Sequence, residues 1–409
     1  MKINKFLPFA IIYFFFNTVG LPFGLTYMAL LSPLFYIWVL LKRKKEVLLP
    51  FFVLMIPFII MHIFVVGVDI RSYGFSLVNI LLVYIFCQAF FTFLKDCNDI
   101  DKIFRTILIL NFICCLAGIV LFFTPYADLF WIEQTLTEGI FNFKRFKLLT
   151  YEASYYATLF TPLFFFFLLQ YVFQMNKIKS FWLLPMILLP FILSFSIGVI
   201  ASIALSVFVV MIIYFRSLIK KRRIINALIY LGAINGTMIT ILVVYFRHNP
   251  LFIRVINIFS GSDSSTKART AEAYYFARRL LDEKNEYWGI GIGQVKLLGY
   301  DLIKSHYLYY QDFVATIPNA MAETLAIFGW FGFFLKIFIE ILLFFFTRVW
   351  ANYYRLLLFI FIFVFQFAGS FITNLAEYVI WILAFTNVFH QFDVKNYRRP
   401  ERELSISSS

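Results

Sequence analysis

A chain of 409 residues with 62% hydrophobic and only 14% charged residues, and a mean hydropathy of +0.85, is excluded from the soluble globular class, where about a quarter of residues are charged and about half are apolar. The formal net charge of +14 raises the question of nucleic acid. Most Lys and Arg, however, fall in short segments between apolar runs, which is the positive-inside pattern of a membrane protein, so no nucleic-acid partner is expected. The four cysteines, Cys87, Cys97, Cys114 and Cys115, show neither CxxC nor zinc spacing, and neither a disulfide framework nor a metal centre is expected.

A helix needs about 20 apolar residues to cross the hydrocarbon core, and this length divides the chain. Residues 6–41 carry a Gly/Pro break at Gly20–Gly24 and give two spans, anchored by basic residues 42–45. Residues 48–68 and 75–94 give the third and fourth spans. A charged linker, 95–102, holds Asp99-Ile-Asp101. That motif resembles a metal-holding DxD, but its place just before a span predicts helix N-capping. Residues 103–123 form the fifth span and 124–150 a first external loop. Residues 152–173 form the sixth span, and 181–215 divide at Ser194–Gly198 into a seventh and an eighth. Residues 224–246 form the ninth.

The longest polar stretch, 247–320, carries nine basic and seven acidic residues. These nearly cancel, as in a folded external loop rather than a cytoplasmic anchor. Residues 321–346 form the tenth span and 348–355 a basic linker. Residues 356–392 divide at Asn374–Glu377 into the last two, and 393–409 form a cytoplasmic tail. The expectation is an all-α integral membrane protein, one polytopic domain over 1–409, with about twelve transmembrane helices, both termini cytoplasmic and one large, partly helical external loop.

Candidate site residues cluster in the two external loops. The first loop ends in Phe143-Lys-Arg-Phe-Lys147, followed by Tyr151 and Glu152 at the start of a span. Arg145 at the membrane surface offers a fork of donors that matches phosphate oxygens, with Glu152 within its reach. Alternatively Lys144, Arg145 and Lys147 anchor lipid headgroups and Glu152 favours a helix N-terminus. In the large loop, Tyr274, Ala277 and Leu281 recur at helical spacing and predict an amphipathic helix over 269–283. Arg278 with Asp282 and Arg279 with Glu283 are expected as i,i+4 pairs on its solvated face. Arg269 at the helix start opposes the helix dipole, with Glu272 available to neutralise it. Trp288-Gly-Ile-Gly-Ile-Gly293 lacks the context of a nucleotide-binding loop and predicts a tight turn. Lys336 and Glu340 form an i,i+4 pair within a span, either a functional intramembrane pair or a mutually neutralising one.

The order of these features carries a resemblance. A charged external loop ends in Arg145, a span opens with Glu152, and a double span turns at Ser194–Gly198. A large loop then carries Arg269 and Gly289-Ile-Gly-Ile-Gly293, and Pro318-Asn319-Ala-Met-Ala-Glu323-Thr-Leu-Ala-Ile-Phe-Gly329-Trp-Phe-Gly332 opens a span. Over roughly residues 100–350 this resembles the O-antigen polymerase (Wzy) and O-antigen ligase superfamily of membrane glycosyltransferases. The resemblance implies a GT-C-like fold in the bacterial cytoplasmic membrane. It also implies transfer of glycan from an undecaprenyl-diphosphate-linked oligosaccharide to a sugar hydroxyl on the outer face, without metal or other cofactor. Membrane lipid and a chain-length regulator are the implied partners. Arg145 and Arg269 match the family's arginines, which would stabilise the leaving diphosphate. Glu152, His306 and Glu323 are the implied candidates for a general base, and Lys147, Tyr151, Arg278, Asn319 and Glu323 are expected to contact substrate. Where ligases carry His-Asn this chain has Pro318-Asn319, which favours polymerase over ligase. A non-enzymatic lipid-linked oligosaccharide flippase is the alternative from another class, but it should show repeated halves and charge spread through its spans.

Overall fold

The computed structural model of the chain describes residues 6–16, 27–43, 47–134, 143–175, 178, 180–214, 256–257, 260–261, 263–307 and 313–398. Helices α1 (Phe6–Phe16) and α2 (Tyr27–Arg43) flank the expected break at Gly20–Gly24. That break and the expected ninth span, 224–246, lie outside the described residues. Helix α3 (Leu49–Met61) runs on as a π-helical turn, His62–Val66, and stops at Gly67 in the left-handed region (φ 69°). Helix α4 (Ile70–Lys95) is capped by Asp69, which accepts from Ser72 N at 2.8 Å. Helix α5 (Ile100–Leu121) is capped by Asp99, which accepts from Lys102 N at 3.0 Å. The Asp-Ile-Asp motif thus has the capping role its position implies.

The first polar loop is not loop alone. Strands β1 (Trp131–Gln134) and β2 (Phe143–Phe146) pair antiparallel, with Ile132 opposite Arg145. The fold is otherwise helical, and this two-stranded hairpin is its β structure among the described residues. The hairpin is pinned by its aromatic residues: Trp131 Nε1 donates to Gly118 O at 2.7 Å, and the fully buried Phe146 ring packs so tightly on Gly118 that a Cβ there would lie 2.3 Å from it.

Helix α6 (Ala153–Val172) is the central one. In its most apolar window 83% of residues are buried, against 22–44% in the other four long apolar helices. Helices α7 (Ser180–Ser194) and α8 (Ile197–Ile213) meet at Phe195 (φ 45°) and Ser196, the expected break. Beyond them come α9 (Ser264–Arg269), α10 (Ala271–Glu283), α11 (Val295–Tyr307), α12 (Ala320–Phe346), α13 (Tyr353–Phe365), α14 (Leu375–Phe385) and the short α15 (Lys395–Arg398). Asn374 caps α14 by accepting from Ala376 N and Glu377 N, so the division at Asn374–Glu377 holds.

Five described helices are long and apolar enough to cross a bilayer: Leu49–Val66, Ile70–Lys95, Ile100–Leu121, Ala153–Val172 and Ala320–Phe346. Six shorter apolar helices accompany them, from Phe6–Phe16 to Leu375–Phe385. At about 1.5 Å per residue these reach only part of a hydrocarbon core of about 30 Å. The chain is therefore a helical membrane protein with five helices of spanning length among the described residues. The basic linker expected over 348–355 ends inside α13. Arg355, 2% exposed, donates through Nε to Ala384 O and through Nη2 to Thr347 O, both at 2.8 Å. A buried guanidinium is here satisfied by the carbonyls left over at two helix ends.

Two apolar cores result. The larger joins α1, α2, α4–α8, α13 and α14. The smaller docks the polar-loop helices α10 and α11 onto α3 and the first turns of α12. Ala273, Phe276, Ala277, Leu280 and Leu281 form the buried stripe of α10. The expected helix over 269–283 therefore begins two residues later, at Ala271. Its expected ion pairs, Arg278 with Asp282 and Arg279 with Glu283, do not form among the described residues. Arg278 and Arg279 extend into solvent instead, where such a pair is worth only a few tenths of a kcal/mol against the entropy of two long side chains, ~0.3 kcal/mol.

Helix α12 is interrupted at Gly329 (φ 65°, ψ −168°). The Gly289-Ile-Gly-Ile-Gly293 segment lies against this break. Ile290 N donates to Ala326 O at 2.9 Å and Gly291 N to Ile327 O at 3.1 Å, while Trp330 N and Phe331 N donate back to Glu286 O and Tyr287 O. The glycine-rich segment is thus a backbone clasp, and its amides at Ile290 and Gly291 are taken by α12 rather than free to cradle phosphate.

Candidate functional site

The two polar loops meet at the start of α6. Glu152 precedes the helix in extended backbone (φ −146°, ψ 145°) and makes no side-chain cap bond of its own. Its Oε1 accepts from Arg269 Nη2 at 2.9 Å across 117 residues of sequence, with the two side chains 18% and 33% exposed. Thr150 Oγ1 lies 2.7 Å from Lys147 O and 2.9 Å from Glu152 O, and its one hydroxyl hydrogen, shared between these carbonyls, fixes the turn into α6.

Arg269 ends α9, whose N-cap Asp263 accepts from Thr266 N at 2.7 Å. This corrects the expected placement. Arg269 lies at a helix C-terminus, where a cation is favourable, and not at the start of α10. Nor does Glu272 neutralise it. The Glu272 carboxylate instead takes the Tyr307 hydroxyl and faces His306 Nε2 at 3.7 Å.

Asn319 joins this pair to the membrane helices. Fully buried, it caps α12 by accepting from Ala322 N at 2.9 Å, and its Nδ2 donates to Arg269 O at 2.7 Å and Phe367 O at 2.6 Å. Every polar atom of its side chain is engaged, so the expectation of a substrate contact is replaced by a joint that holds Arg269 in place. Tyr151, 46% exposed, stacks obliquely on Tyr155 at 4.9 Å and lies within electrostatic range of Glu152 and Arg269. Glu323, one turn into α12, accepts from Ile372 N at 2.7 Å through Oε2.

The other expected site residues stand apart. Arg145 is 5% exposed and donates through Nε to Ser194 O at 2.9 Å. It is a buried brace between the hairpin and the α7–α8 break rather than a surface group, and the carboxylate of Glu152 takes Arg269 instead of Arg145. Lys147 is partly exposed, with its backbone N bonded to Phe130 O at 2.8 Å. His306 packs edge-on against Phe276 at 5.0 Å beside Glu272, and Arg278 projects from the solvent face of α10. On that helix burial pushes the Tyr274 phenol up to about 12, so it stays neutral.

Two features escape sequence reasoning. One is the clasp at Gly329, whose cause lies 40 residues upstream. The other is the company of Lys336 and Glu340: Lys336 Nζ is 4.0 Å from Glu340 Oε1 and 3.5 Å from Glu377 Oε1, and Gln366 Nε2 donates to Glu340 Oε2 at 2.8 Å. The expected pair is therefore part of a larger cluster. Among the described residues no three His, Cys, Asp or Glu side chains converge as metal ligands.

No protein-family model matches the chain, and no curated protein matches it either.

Proposed function

We propose that the chain is a bacterial polysaccharide polymerase of about twelve spans. It would transfer glycan from a polyprenyl diphosphate carrier to the acceptor sugar of a second lipid-linked repeat unit, at the outer face of the cytoplasmic membrane. The observation that carries this reading is the Arg269–Glu152 pair, set where two polar loops meet at the end of the central apolar helix.

In such a transfer the acceptor hydroxyl oxygen bonds to the anomeric carbon. The bond from that carbon to the diphosphate oxygen breaks, the hydroxyl proton passes to a base, and the lipid diphosphate leaves with the electron pair. Arg269 meets the need for positive charge at the leaving group. One of its N–H groups is bonded to Glu152, which leaves others for phosphate oxygens, and guanidinium binds these as a fork. Glu152 and Asn319 are assigned as positioning residues, Glu152 through the guanidinium and Asn319 through the Arg269 carbonyl. Tyr151 supplies an exposed ring beside the pair for a sugar face, and Arg145 braces the hairpin that leads into Tyr151 and Glu152. Glu323 is the candidate base, since among the described residues only one of its oxygens carries a hydrogen bond. The concentration of charge in two loops favours an enzyme over a flippase, and Pro318 in place of the ligase histidine favours a polymerase over a ligase.

The test is Arg269→Ala in a producing cell. Polymer should disappear while single repeat units persist on the lipid carrier, with turnover reduced about 10²–10³-fold, the usual cost of one lost transition-state donor. Arg269→Lys should recover part of the activity. Polymer of normal length and amount in Arg269→Ala would overturn the assignment.

A further inference from the structure

Away from the Arg269–Glu152 pair, the apolar bundle buries a second group of polar side chains. Lys336 and Glu340 come from α12, Gln366 from the end of α13 and Glu377 from the first turn of α14. Glu340 is 6% exposed, Glu377 3% and Gln366 0%. Their contacts leave two buried acceptors unused: Glu377 Oε2 and Gln366 Oε1 have no hydrogen-bond partner among the described residues. Both belong to groups already fixed in the cluster, since Glu377 Oε1 faces Lys336 and Gln366 Nε2 is bonded to Glu340.

Charge counting points the same way. Two ionised carboxylates against one ammonium leave an excess negative charge inside an apolar bundle, where uncompensated charge is costly and ionisable residues mark function. The surroundings do not cancel it. Glu323 of α12 is another carboxylate within electrostatic range of Lys336 and Glu377, so the one further cation in range of it, Lys296 of α11, is offset by Glu323 itself among the described residues. Tyr378 of α14 lies within electrostatic range of Glu377, Glu323 and Glu340, with Cys87 of α4 beyond it, and the Tyr378 hydroxyl is already committed to Ile372 O at 2.7 Å. One added proton removes the excess charge and turns a bare carboxylate oxygen into a donor.

We propose that the Lys336–Glu340–Glu377–Gln366 cluster is a proton-binding site that holds one exchangeable proton on its carboxylate pair. Lys336 has the most exposed side chain of the three charged members, at 24%. The site shares backbone with Asn319. Met321 N donates to Gln366 O at 3.2 Å and Ala320 N to Gly369 O at 3.0 Å, while Asn319 Nδ2 holds Phe367 O.

Infrared spectroscopy of the purified chain in lipid nanodiscs at neutral pH tests this. The wild-type-minus-Glu377→Gln difference should contain a carboxylic-acid carbonyl stretch that shifts in deuterated buffer. Glu340→Gln should lose the same band, because one carboxylate against Lys336 needs no proton. Lys336→Met should instead strengthen it about twofold, since both carboxyls must then be neutral. No such band in the wild type, or a band unchanged in both glutamine variants, would overturn the proposal. So would a wild-type band abolished when sodium replaces choline as the buffer cation, which would make the cluster a metal-cation site. All four readings are independent of polymer formation.

Discussion

Asn319 and Arg269 divide labour at the candidate site. Asn319 commits its amide oxygen to the α12 cap and both amide hydrogens to carbonyls of two other segments. Removing it loses a cap, about 1 kcal/mol, and leaves two carbonyls without their donor, about 1–3 kcal/mol each when buried. Asn319→Ala is therefore expected to lower stability by at least about 3 kcal/mol, read from thermal unfolding in detergent, and to lose activity with the fold. Unchanged unfolding would contradict its role as a joint. Arg269 is one-third exposed, and its pair with Glu152 is worth less than about 1 kcal/mol at such exposure, so its loss should spare the fold and strike the chemistry. The sequence offers both residues by their order along the chain. It does not show that one is committed inward and the other left open, because that depends on partners 48–117 residues away.

At the scale of elements, local chemistry was readable and non-local chemistry was not. Asp99 ahead of an apolar run, Asn374 ahead of the last long apolar run and the Ser194–Gly198 interruption each announce a helix end through nearby residues, and each stands in the structure. The hairpin that carries Arg145 depends on Phe146 seated against Gly118 of α5, which no local pattern encodes. The break at Gly329 depends on a clasp. A Cβ at Gly329 would lie 2.3 Å from Tyr287 O, and one at Gly289 would lie 2.3 Å from Ile327 O, both in left-handed backbone. Gly329→Ala and Gly289→Ala should each destabilise by at least about 2 kcal/mol. Gly74→Ala in α4, where an added Cβ meets nothing within 4 Å, should change stability by less than about 1 kcal/mol. Equal melting temperatures for all three variants would contradict the clasp.

For the whole molecule, two cores matter more than the number of spans. The large polar loop does not hang free. Its helices bury Phe276, Leu280 and Ile303 against Phe51, Met55 and Phe58 of α3 and Leu325 and Phe328 of α12, so it is fixed on the spans with Arg269 beside the start of α6. If that loop faces the outside of the cell, an impermeant maleimide added to intact cells should label Arg279→Cys in a background without the four native cysteines. Labelling only after permeabilisation would reverse the orientation.

The most direct measurement is made with purified protein and polyprenyl-diphosphate-linked repeat units. A polymerase should form chains longer than one repeat in the presence of EDTA, and Arg269→Ala should lose them. Repeat units that remain single, or pass intact to a non-carrier acceptor, would contradict a polymerase.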